Sequence, residues 1–148
     1  MGWELVAILL AVIALDLIVR AASVTVMLPM LERKPPFNVN PAHPDPQAEE
    51  AWFPTTHGLT LRGSLYRHEN RGPRGLIIFC PEMSGSHWSA LRYCGGLYLA
   101  GFDVFAFDFR SQGESDHQPG YEPLHWVTEY EVADVLAAVA FARQRDGL

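Results

Sequence analysis

The sequence predicts an α/β domain, a small sheet antiparallel at its start and parallel further on, set behind an apolar N-terminal segment. Three observations lead to it. Residues 75–81 (GLIIFCP) and 102–107 (FDVFAF) are short apolar runs of the kind that form strands covered on both faces. Between them, residues 87–100 place apolar side chains at 88, 91, 94 or 95, and 98, the spacing of one helical face, and Gly101 follows where a helix stop is wanted. Strand, crossover helix and strand of this length form a βαβ unit whose strands run parallel. Ahead of them, Leu59, Leu61, Gly63 and Leu65 alternate with Thr60, Arg62, Ser64 and Tyr66, the period of a half-covered strand.

By composition the chain falls into an apolar segment at 1–31, a proline-rich linker at 32–50 and a globular part at 51–148. With 148 residues, 49% of them hydrophobic, there is room for one ordinary domain. The net charge of −6 and the lack of any Lys/Arg cluster leave no footprint for nucleic acid. Cys80 and Cys94 are too few for a disulfide framework, and both fall on elements expected to be buried, where a free thiol packs as a small hydrophobe.

Residues 5–28 are almost wholly apolar. As a helix they would span about 36 Å, enough to cross a hydrocarbon core of about 30 Å with some tilt. Asp16 and Arg20, four apart, share a face and neutralise each other. A cleaved signal should open with Lys or Arg, whereas this chain opens Met-Gly-Trp-Glu, and the apolar stretch is longer than a usual signal core. The segment therefore reads as an uncleaved single-pass membrane anchor; a secretory signal and a helix buried against protein are the rival readings. Trp3 stands where an interfacial aromatic belongs, and Arg33 and Lys34 lean the C-terminal side toward the cytoplasm.

Five prolines (35, 36, 41, 44 and 46) then make an extended, semi-rigid spacer, with His43 solvated inside it. Residues 51–56 and 59–67 form two strands joined at His57-Gly58, and the loop 70–74 separates this hairpin from the βαβ unit. After an irregular loop at 120–126, Thr128 and Glu131 form a capping box. Val132, Val135, Leu136 and Val139 are expected to pack that last helix on the sheet, with Arg143 and Arg145 at its negative pole. The next element in an alternating pattern would be a strand, so Met1 reads as a true start and Leu148 as an arbitrary stop.

This succession resembles the α/β-hydrolase superfamily, particularly its membrane-tethered members, over residues 51–148. The strongest part is residues 101–115, GFDVFAFDFRSQGES, which is similar to the family's strand followed by D-x-R-G-x-G-x-S: Asp108, Arg110, Gly113 and Ser115 stand in register, and Ser111 replaces the first glycine. Cys80-Pro81-Glu82-Met83-Ser84-Gly85-Ser86 corresponds to the H-G-x-x-G region, whose backbone N–H groups help to form the oxyanion hole. Neither His nor Gly is kept, so the implied donor is the N–H of Met83 or of Glu82, depending on register. The resemblance implies the N-terminal part of an α/β-hydrolase sheet in strand order 1-2-4-3, the strand at 75–81 being the exposed edge. It also implies a small-molecule acyl substrate and no cofactor or metal.

The family's nucleophile motif, G-x-S-x-G, does not occur. Gly113-Glu114-Ser115-Asp116-His117 lacks the final glycine and lies in a polar loop, so Ser115 is not the nucleophile. His87, His117 and His125 read as loop or helix-start polar residues, no Cys/His spacing matches zinc, and Gly95-Gly96 marks close helix packing rather than a phosphate loop. The economical expectation is the N-terminal piece of a longer serine hydrolase, with a tethered non-catalytic hydrolase-like module as the alternative and an unrelated ligand-binding α/β domain as a third.

Overall fold

A computed structural model describes residues 2–33, 39, 42–68, 72–124 and 127–145. Lys34, Pro35, Pro36, Pro41, Asn70, Arg71, His125, Trp126, Gly147 and Leu148, on which parts of the linker, flank, loop and terminus expectations rest, lie outside the described residues. The chain divides into two units, Met1–Pro35 and Pro36–Leu148.

The first unit is a single helix, α1 (Gly2–Leu31), covering the whole predicted apolar stretch with no residue buried. Arg20 Nε meets Asp16 Oδ2 at 2.6 Å, the i,i+4 pair expected from their spacing. The Ser23 and Thr25 hydroxyls donate to the carbonyls of Val19 and Ala21, each at 2.8 Å.

In the second unit, β1 (Glu49–Pro54) and β2 (Thr60–Tyr66) form the antiparallel hairpin. A short 3₁₀ turn at 56–58 joins them, with His57 and Gly58 at φ of 63° and 71°. Next come β3 (Leu76–Phe79), α2 (Ala90–Leu99) and β4 (Asp103–Phe107), then α3 (Glu129–Gln144). The described strands make one sheet in the order β1-β2-β4-β3, antiparallel between β2 and β4 and parallel between β4 and β3. This is the order the resemblance implied, and it leaves β3 on the edge. Gly101, at φ 97°, ends α2: its N–H reaches the Tyr98 carbonyl while the Phe102 N–H returns to Leu97. Leu61, Leu65, Phe53, Phe105 and Phe107 fill the core on one face of the sheet, with Ala138, Ala142 and Phe141 of α3 packed on them. Tyr66, Val104 and Ala106 meet Ala90 and Cys94 of α2 on the other.

Several expectations are corrected. β3 is shorter than residues 75–81 and half-buried, because no described strand lies beyond it; Cys80 at its end is exposed, and only Cys94 is buried. β2 alternates only as far as Gly63; Ser64 and Tyr66 are buried as well, since the segment from His87 into α2 covers that face. A Cβ built at Gly95 or Gly96 would meet nothing within 4 Å, so these glycines do not mark close packing.

The largest correction concerns α3. Its capping box forms as expected and Val135 packs against the core with Val139 half-buried, but Val132 and Leu136 remain exposed, and the buried residues are Glu131, Asp134, Ala138 and Ala142. Asp134 is drawn under Arg110, which rotates the helix and leaves the valine–leucine stripe half outside. Arg145, at the helix end, meets Glu49 of β1 at 2.6 Å. Because β3 offers an unpaired apolar edge, the second unit, residues 36–148, expressed without α1 is expected to associate and precipitate. A monodisperse, cooperatively unfolding 36–148 by light scattering and urea titration would overturn this.

Candidate active site

β4 and β3 end side by side, and the loops leaving their carboxyl ends are tied together by Asp108. Its carboxylate, 1% exposed, accepts the His87 N–H at 2.6 Å on Oδ1 and the Glu114 N–H at 2.9 Å on Oδ2. The space for it exists because residue 113 is glycine: a Cβ there would sit 2.0 Å from Oδ2. Burial pushes the Asp108 carboxyl up to about 6, against the opposing pull of its two backbone donors.

Ser115 closes the same loop. Its hydroxyl donates to the Asp108 carbonyl at 2.7 Å and accepts the Arg62 N–H at 2.9 Å, so it is a staple between loop and β2 and not a nucleophile. Asp116 accepts the Thr60 N–H at 2.8 Å. Ser111, where the family has glycine, adopts φ 60°, and its hydroxyl accepts the Gln118 N–H at 3.0 Å. His117 is exposed. His87 does begin a helical turn but is only 1% exposed, with Nε2 at 3.8 Å from Asp108 and 4.0 Å from Glu114. Burial lowers its pKa to about 4, and neither ring nitrogen has a hydrogen-bond partner among the described residues.

Arg110 is fully buried beneath the site. Its Nη2 and Nε reach Asp134 at 2.6–3.1 Å, Nη2 also reaches the Thr56 hydroxyl at 2.9 Å, and the guanidinium lies 4.8 Å from the Tyr130 ring centre. The Arg110 N–H donates to Asp134 at 3.0 Å, so backbone and side chain grip one carboxylate. The pair joins the β1–β2 turn, the β4 loop and α3.

The residues implied as oxyanion donors lie on the turn after β3. The Gly85 N–H closes it onto the Glu82 carbonyl at 2.8 Å, Ser84 takes φ 65°, and the Ser84 N–H donates to Gln112 Oε1 at 3.3 Å. No hydrogen bond among the described residues engages the N–H of Glu82 or of Met83. The Glu82 side chain is turned to the Tyr93 hydroxyl, 2.7 Å away, whereas Met83 borders an open cleft of about 420 Å³ shared with Cys80, Gln112, Val132 and Leu136. Sequence reasoning missed Gln112, the tether between the two loops; as the variable position before Gly113 it carried no signal of its own. Among the described residues no group of three or more His, Cys, Asp or Glu is arranged to hold a metal ion.

No protein-family model matches the chain. A thiohydrolase from Aspergillus aculeatus, aneE, is 31% identical over 100 residues, covering 67% of this chain and 30% of that protein. Among solved structures, the Pyrococcus furiosus esterase Pf2001 superposes with a TM-score of 0.57 at 22% identity, over 77% of this chain and 42% of the esterase. The α/β hydrolase GrgF from a Penicillium species gives 0.52 at 23% identity, over 66% and 32% respectively. The chain thus spans less than half the length of each.

Removing the Asp108 carboxylate orphans the buried His87 N–H and the part-buried Glu114 N–H, so Asp108→Ala is expected to cost about 2 kcal/mol in urea unfolding. Breaking the lower pair by Arg110→Ala should cost about 3–5 kcal/mol, because the Asp134 charge stays buried without its partner. The raised Asp108 pKa contributes stability that is complete below pH 4 and lost as pH rises through 6. The lowered His87 pKa contributes stability that is complete above 6.5 and lost as pH falls through 4. Their slopes oppose between pH 4 and 6. His87→Gln should therefore unmask a fall of about 1 kcal/mol per pH unit as pH rises across that window, read from urea midpoints at pH 4, 5 and 6; a slope equal to wild type would sink the assignment.

Proposed function

Because this chain carries the N-terminal part of an α/β-hydrolase fold, we propose that it supplies the oxyanion-binding half of a membrane-anchored hydrolase. The substrate is an ester, thioester or similar acyl compound. The nucleophile is a serine beyond residue 148, on a G-x-S-x-G elbow following a further parallel strand beside β3. Attack of the serine oxygen on the carbonyl carbon drives the carbonyl electron pair onto oxygen, where a backbone N–H receives it. Collapse of that intermediate expels the alcohol or thiol, and water then releases the acid.

The observation that carries this reading is the unengaged N–H of Met83 at the carboxyl end of β3, on the rim of the apolar cleft. A backbone donor needs no particular side chain, so Pro81-Glu82 in place of His-Gly is compatible with the role. The Met83 N–H is the preferred donor, since Met83, and not Glu82, lines the cleft. α1 serves as the single-pass anchor, with the hydrolase unit on the cytoplasmic side, as the Arg33 flank favours.

A fluorophosphonate probe applied to membranes containing the full-length gene product is expected to label one serine beyond residue 148. A stop codon directly after Leu148, or an elbow lacking Ser, Asp and Cys, would instead leave a tethered non-catalytic module. In the active enzyme, Met83→Pro, which removes that N–H and also fixes the local φ, should lower kcat by about 10²–10³ with the urea unfolding midpoint retained, while Met83→Ala has little effect. Equal activity of the two variants would exclude the Met83 N–H.

A further inference from the structure

Between Leu5 and Leu31 the only ionisable residues of α1 are Asp16 and Arg20, close to the middle of the 30-residue helix. Asp16 lies about 21 Å from the Gly2 end and Arg20 about 16 Å from the Leu31 end, so neither lies near the water at a helix end. The other polar side chains of that stretch are self-satisfied, Ser23 and Thr25 on helix carbonyls. The ion pair is not. One contact, Arg20 Nε to Asp16 Oδ2, joins them, and the two side chains remain 75% and 55% exposed. No described residue bonds the two terminal guanidinium nitrogens or Asp16 Oδ1. In hydrocarbon such groups find no water, and every unpaired donor is costly.

At about 100° per residue, Asp16, Arg20 and Ser23 fall on a single stripe with Leu9, Val12 and Met27, while Ala14, Ile18 and Thr25 lie opposite. We propose that two copies of this chain associate in the bilayer along that stripe as a parallel, two-fold pair, the spare guanidinium N–H groups of each Arg20 reaching the partner copy's Asp16 carboxylate. The proposal rests on α1 being a membrane span. A second copy is the fitting occupant because the stripe is self-complementary. A two-fold axis along the membrane normal puts each Arg20 about 6 Å of axial rise from the partner copy's Asp16, a span its long side chain, leaning toward the helix N-terminus, covers, in a four-membered network of zero net charge. A partner offering only an acid or only a base would leave one charge uncompensated.

The test uses the full chain in membranes with Cys80 and Cys94 changed to Ser, followed by carbonate extraction and copper-phenanthroline oxidation. Ser23→Cys should cross-link to a species of twice the chain mass, and Thr25→Cys should not. Adding Asp16→Ala should lower the Ser23→Cys dimer by about tenfold or more, and the exchange Asp16→Arg with Arg20→Asp should restore it. A carbonate-resistant chain with no Ser23→Cys dimer, or a dimer indifferent to Asp16→Ala, overturns the pairing and leaves the anchor standing. A cross-link to a protein of different mass overturns it in favour of a foreign partner. A chain that carbonate extracts, or that is cleaved after the helix, removes the anchor and the pairing together.

Discussion

A carboxylate taken out of water loses several kcal/mol of hydration, and only well-placed donors return it. Asp108 is in that position. The two backbone N–H groups that meet it belong to His87 and Glu114, one on the loop after β3 and one on the loop after β4. The carboxylate can be reached only if those loops lie side by side at the carboxyl end of the sheet, so the cost of its burial is what registers them. Gly113 is the steric condition for this, since any side chain there would occupy the space of the carboxylate oxygen. Gln112, one residue earlier, then extends the register to Ser84 and so to the turn holding the unengaged N–H of Met83.

Arg110 and Asp134 repeat the arrangement one layer deeper, and here the constraint decides the orientation of a helix. The spacing of Val132, Val135, Leu136 and Val139 would let α3 pack on that stripe, but two fully buried charges outweigh two aliphatic side chains. Unpairing them costs about 3–5 kcal/mol, against about 3–6 kcal/mol for fully exposing two aliphatic residues, and Val132 and Leu136, 51% and 63% exposed, lose only about half of that. The helix therefore turns Asp134 inward. The displaced stripe becomes one wall of the apolar cleft beside Met83 and Cys80, so an electrostatic requirement in the core shapes the space next to the candidate oxyanion site.

The departures from the hydrolase motif are graded by the same physics. Positions whose implied role runs through the backbone are the ones that differ: neither His nor Gly of the motif is kept around Pro81 and Glu82, and the N–H groups of Glu82 and Met83 remain unengaged among the described residues. Ser111 in place of glycine holds a left-handed conformation and compensates by bonding Gln118. Gly113, Asp108 and Arg110, which act through volume and charge in a buried space, stand as the motif requires.

Local pattern alone determined a good deal of this protein. Each strand–turn–helix succession, the Gly101 stop, the Thr128–Glu131 cap and the Asp16–Arg20 pair could be read because they depend on residues within about one helical turn or one hairpin of each other. The sheet order and the importance of Asp108, Arg110, Gly113 and Ser115 were legible only through the resemblance that the motif carries. Three features depended on the tertiary structure: which face of α3 turns inward, that Cys80 is exposed while His87 is buried, and that Gln112 joins the two loops. Each results from partners distant in sequence competing for one buried volume, and the periodicity of a single segment contains no record of what will be packed against it.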